Sequence, residues 1–178
     1  MSKEHKAFVF DYDRFSTELG SALWHALETG DAKKLKRFTR QNRDRLTDPY
    51  QGGPLQDGWV APDDVHEAGD VALTAFYDPG ADVGLAGEWE RAHDRVLRLM
   101  PGQEDAIVLG YPFGPDDAAF DPGRMGAYLR SAELARQHLG ALTAAGSARK
   151  KGLPPTLDAV QVMLQTAVSA GRGLYVTF

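Results

Sequence analysis

The chain has 178 residues and no cysteine. That absence removes disulfides, thiolate metal sites and cysteine nucleophiles together. It fits a cytoplasmic protein. No apolar run approaches the roughly 18 residues of a membrane span, so none is expected. Residues 1–6 carry no apolar stretch of the secretory type, so no signal is expected there. Chemical signatures are missing as well: there is no nucleophile elbow, no P-loop and no EF-hand spacing. The five histidines are His5, His25, His66, His93 and His138, and no two stand at the i, i+4 spacing of a helical zinc site. The segment Gly110-Tyr111-Pro112-Phe113-Gly114 is no phosphate cradle, because proline removes a backbone donor where one is needed. Basic charge is in deficit: 20 Lys and Arg face 25 Asp and Glu, a net charge of −5. That balance disfavours bulk nucleic-acid binding.

What is present is ordinary in amount and unusual in order. Hydrophobic residues make up 43% and charged residues 25%, near the globular average, and the length favours one domain. The charge is sorted along the chain. Residues 1–46 carry +3, residues 47–121 carry −13 and residues 122–178 carry +5. A summed field of this kind steers partners without naming them.

Residues 7–12, AFVFDY, read as a strand. Phe15, Leu19, Leu23, Ala26 and Leu27 then recur at helical spacing, with Asp13 or Ser16 as cap and Gly30 as stop. Asp31 caps a second helix with Leu35 and Phe38 on its inner face, so a helical hairpin is expected. Asp63 and Asp64 open a short helix that Gly69 interrupts. Residues 71–77 are expected to form a strand, residues 85–100 a helix and residues 106–111 a strand. Residues 112–126 form a long loop rich in Pro, Gly and Asp. Ser131 caps a helix carrying Leu134, His138 and Leu142. Thr156 caps a last helix, Gly171 ends it, and residues 174–178 form a closing strand. The expected fold is α+β, with one small mixed or antiparallel sheet and about five to six helices around it.

Three fragments carry a family resemblance. They are GSALWHAL at 20–27 with Thr29-Gly30-Asp31, Phe113-Gly114-Pro115 with the helix at 132–142, and the helix–Gly–strand ending from Met163 to Phe178. Over about a third of its length the chain resembles the small bacterial α+β proteins of the YfbM type. The resemblance implies a fold and no chemistry.

Asp11-Tyr12-Asp13 at the end of an apolar strand resembles the haloacid-dehalogenase phosphohydrolases. There one Asp is the nucleophile, and a second, two residues on, is the acid/base beside Mg²⁺. Arg14 and Phe15 depart from that family's pattern, and its later motifs are not evident. The plainer account is that Asp13 caps a helix. Asp78, Asp82 and Glu88 flank glycines, as do Asp57, Asp63, Asp64, His66, Glu67 and Asp70; such loops suit hard cations, yet each also has ordinary turn or helix-start chemistry. The strongest local signal is basic. Lys33, Lys34, Lys36, Arg37, Arg40, Arg43 and Arg45 fall within thirteen positions. Such a face can track phosphates or meet a protein, or it is solvated and neutralised by the acidic block of the same molecule.

Three functional readings follow. The first is a soluble, cytoplasmic, bacterial binding protein of immunity type without catalysis or cofactor. It rests on the acidic segment 47–121 with Trp59, Tyr77, Trp89 and Tyr111 scattered through it, because aromatic anchors within a charged rim build interfaces; the candidate residues for meeting a protein partner are Lys33, Lys36, Arg37, Arg40, Arg43, Trp59 and Trp89. The second is a Mg²⁺-dependent phosphohydrolase using Asp11 and Asp13. The third is polyanion binding through residues 33–45.

Overall fold

The computed structural model describes residues 4–102 and 105–178. Its centre is a three-stranded antiparallel sheet in the order β1 (Lys6–Phe10), β3 (Gly173–Thr177), β2 (Ala127–Arg130). Ala7 faces Val176 and Phe10 faces Gly173 across one ladder, and Arg130 faces Leu174 across the other. Side chains alternate between the two faces of a strand, so each strand feeds two layers. Phe8, Phe10, Leu129 and Tyr175 enter one apolar cluster, while Ala7, Leu174 and Val176 enter the other.

The first layer begins with a helical path over residues 12–29. It runs as α1 (Tyr12–Phe15), a π turn (Ser16–Gly20) and α2 (Ser21–Thr29). Phe15, Leu19, Leu23, Ala26 and Leu27 all lie in the first cluster. The cap of this path is Asp11, not Asp13 or Ser16: its carboxylate accepts the Arg14 N–H at 3.3 Å. β1 ends at Phe10, so the chain turns at once and Asp13 falls in the first helical turn, on the solvent side. Gly30 ends α2 with φ of 73°, a conformation that suits glycine. Asp31 accepts the Lys33 N–H at 3.0 Å and starts α3 (Lys33–Gln41). Asp64 accepts the N–H groups of His66 and Glu67 and starts α4 (Val65–Leu73).

The second layer holds α5 (Trp89–Leu99), α6 (Ala132–Ser147) and α7 (Asp158–Ser169). Ala92, Val96, Ala135, Leu142, Val160, Met163 and Leu164 pack there with Ile107 and Val108. Ser131 caps α6 by accepting the Leu134 N–H at 3.2 Å. Counting residues 12–29 as one, six helical rods flank the sheet among the described residues. None is long and apolar enough to cross a membrane.

Five local readings change. Gly69 does not interrupt α4 but lies inside it, because a Cβ there would meet Phe120 at 2.8 Å and Leu23 at 2.9 Å. The expected strand at 71–77 is the end of α4 and a turn, its apolar content explained by burial of Ala72, Leu73 and Phe76. The expected strand at 106–111 is a 3-10 turn (Asp105–Ile107) followed by irregular chain that joins β2 through the Tyr111–Leu129 backbone bridge and through the Arg130 side chain. The strand β2 was not expected at all. At the other end of the chain, Thr156 lies in a 3-10 turn (Pro155–Leu157) before α7 and is not its cap.

Candidate functional site

The basic helix is amphipathic in the strict sense. Leu35 is buried, and Phe38 stacks on Phe76 with ring centroids 6.0 Å apart. Those inward residues leave the cations outside. Lys36, Thr39, Arg40 and Arg43 form one wall of a groove of about 400 Å³, and Trp59, Val60 and Ala61 form the other. Val60 is 80% exposed, so the apolar wall is open to solvent.

The cations are only partly engaged. Lys36 pairs closely with Asp63, and that ammonium holds the Asp63 carboxyl below its usual range. Arg43 donates to the Gln56 carbonyl at 2.7 Å and lies 3.8 Å from Asp57. Arg40 donates to the Lys36 carbonyl at 3.2 Å, which orients the side chain without neutralising it. The acidic segment thus lies against the basic helix, as charge sorting allowed, but both acids that reach it are exposed. Ion pairs between exposed groups contribute on the order of 0–1 kcal/mol.

Of the seven residues expected to meet a partner, the groove gathers Lys36, Arg40, Arg43 and Trp59. Lys33 and Arg37 are exposed on the same helix outside the lining, and Lys33 pairs locally with Asp31 at 3.6 Å. Trp89 stands elsewhere: it stacks near His5 and packs its ring 4.9 Å from Phe178, against the second cluster.

The acidic pair at 11 and 13 is divided in its surroundings. The Asp11 carboxylate is taken up by the cap and by Arg172 at 3.3 Å, while Asp13 is exposed. Asp11→Ala is expected to lower stability by about 1 kcal/mol through loss of the cap, read as a shifted urea midpoint. Asp78, Asp82 and Glu88 are not gathered either. Asp78 accepts the Gly80 N–H, Asp82 accepts the N–H groups of Ala7 and Gly84, and Glu88 pairs with Arg91. No group of three His, Asp or Glu residues placed to hold a metal occurs among the described residues.

One acid has a different character from the one its sequence context suggested. Asp70 sits inside α4, 6% exposed, where its carboxylate accepts the Tyr175 hydroxyl at 3.3 Å. Burial pushes its pKa up to about 6, against the opposing hydrogen bonds from Tyr175 and Tyr50. Burial also raises the pKa values of Tyr77 and Tyr175, so both stay protonated donors. The available signal was one carboxylate within the apolar run from Ala68 to Leu73. No protein-family model, curated protein or solved structure matches the chain.

Proposed function

We propose that this chain is a non-catalytic binding protein whose α3 groove receives an acidic segment of a partner protein. The observation that carries the reading is the convergence of Lys36, Arg40, Arg43 and Trp59 on one groove. Trp59 supplies an aromatic anchor and the cations supply charge complementarity, the division of labour that interfaces use. The molecule also shows how an acidic segment lies along α3, since its own chain does so through Asp63 on Lys36 and Asp57 on Arg43. Those exposed pairs are weak enough for carboxylates of a partner to replace them. A protein fits better than a nucleic acid because the groove has one indole for stacking and the whole chain carries −5. A cytoplasmic bacterial setting, with an immunity-type role, suits this reading.

Fluorescence anisotropy with a labelled peptide rich in Asp and Glu and holding one Trp is the direct test. Saturable binding is expected, falling as salt rises. Reversing Arg40 and Arg43 together to Glu is expected to weaken it about tenfold or more. Absence of binding at low salt, or binding indifferent to the double reversal, would overturn the reading. Tighter binding of a single-stranded oligonucleotide of equal charge would move it to the polyanion alternative.

A further inference from the structure

Arg130 is the last residue of β2 and the largest fully buried side chain, 1% exposed. Its Nη2 donates to the carbonyls of Ala106 and, at 3.0 Å, Ile107. These partners are neutral. Arg130 forms no ion pair with any described carboxylate. Its Nε and Nη1 have no hydrogen-bond partner, and neither does Nδ1 of His138 on α6. His138 is 7% exposed. Tyr111 completes the group: its ring lies 6.4 Å from that of His138, and it is 39% exposed, so it stands between the cluster and solvent. Burial lowers the pKa of Arg130 to about 10, and its proximity contributes to the lowering at His138, so the guanidinium is charged and the imidazole neutral near pH 7.

A buried charge that no described carboxylate offsets is among the costliest arrangements in a fold. Two carbonyl oxygens offset part of that cost on one nitrogen only. Three unpartnered polar atoms on two neighbouring side chains, beside a part-exposed phenol, are the kind of donor set an anion takes. Arginine and histidine are also the donor types that carboxylates and phosphates take.

We propose that Arg130, His138 and Tyr111 form a binding site for a small oxyanion, the carboxylate or phosphate group of a free ion or of a small metabolite. The oxyanion accepts from a free nitrogen of Arg130 and from His138 Nδ1 in its protonated tautomer, with Tyr111 at the entrance. This site is separate from the α3 groove and does not depend on the reading given to it.

The probes are inorganic phosphate and acetate, titrated at constant ionic strength with chloride as the balancing ion. The readout is the Arg130 Nε–H resonance of the ¹⁵N-labelled full chain, assigned through its loss in Arg130→Lys. A saturable shift is expected with phosphate or acetate, and which of the two saturates first identifies the oxyanion class. His138→Leu keeps the guanidinium and is expected to weaken binding about fivefold or more. If Arg130→Lys does not fold, the chemical shift of the buried Nε–H relative to solvent-exposed arginines provides the assignment. No saturable shift with either anion, or a shift unchanged in His138→Leu, would overturn the proposal and leave Arg130 as a structural donor to residues 106 and 107.

Discussion

Gly173→Ala is expected to destabilise the fold by roughly 3 kcal/mol or more, the upper range for overpacking against backbone. A Cβ built at Gly173 falls 1.8 Å from the Arg130 carbonyl oxygen and 3.1 Å from the Ser131 carbonyl carbon. Neither neighbour is free to retreat. Arg130 is paired with Leu174 in the ladder, and Ser131 caps α6 through the Leu134 N–H. The methyl group therefore opens the junction between β2, β3 and α6, where both layers meet. Gly140→Ala is the control. It lies on the exposed side of α6, and its added Cβ meets nothing within 4 Å. There alanine is expected to gain up to about 1 kcal/mol by helix propensity. Urea unfolding of the two variants beside the parent separates the cases: a Gly173→Ala midpoint equal to the parent would mean that the strands are not so closely seated.

The same junction shows what the sequence could and could not tell. Periodicity was enough for the helices, because Phe15, Leu19, Leu23 and Leu27, or Val160, Met163 and Leu164, repeat at the helical period and are buried on it. The first and last strands were legible as short aromatic and β-branched runs, but their antiparallel pairing was not, since nothing local names a strand's partner. β2 did not, because Ala-Tyr-Leu-Arg is four residues long, buried on both sides and flanked by Gly126 and Ser131. No alternation survives at that length. Conversely, residues 106–111 read as a strand because they are apolar, whereas their burial beneath α5 and α6 is a tertiary matter. The groove was half legible: a run of cations names a helix face, but only the fold brings Trp59, sixteen positions past Arg43, across from it. Arg130 was invisible, since nothing local distinguishes a buried arginine from a surface one.

Asp70→Asn is expected to raise stability near pH 7.5 by about 2 kcal/mol and to leave it almost unchanged near pH 4. The carboxyl binds its proton more tightly folded than unfolded, with a pKa of about 6 against the ordinary aspartate value of 3.8. Between those values the folded chain holds more protons than the unfolded one, so its stability falls as pH rises. The contribution is whole below the unfolded pKa and lost above about 6, a difference of about 3 kcal/mol at 1.36 kcal/mol for each pH unit. Asparagine keeps an oxygen to accept the Tyr175 hydroxyl and never ionises, so it removes the loss; the amide protons it adds reduce the gain. His138 works in the opposite sense. Burial and Arg130 hold its pKa near 4, below 6.5, so the unfolded chain takes up the extra proton and stability falls as pH drops through that window. That slope is worth about 2 kcal/mol when solvent around its outer edge is allowed for. His5, also lowered by burial, adds to it. In the parent the two slopes oppose each other between pH 4 and 6.5, and the profile is expected to be nearly flat. Asp70→Asn uncovers the histidine slope, so the variant should lose stability steadily on acidification. Urea titrations at pH 4, 5.5 and 7.5 read this directly. A variant less stable than the parent at all three values would mean that ionised Asp70 holds Tyr175 and Tyr50 in place, rather than being an acid that the fold keeps protonated at some cost.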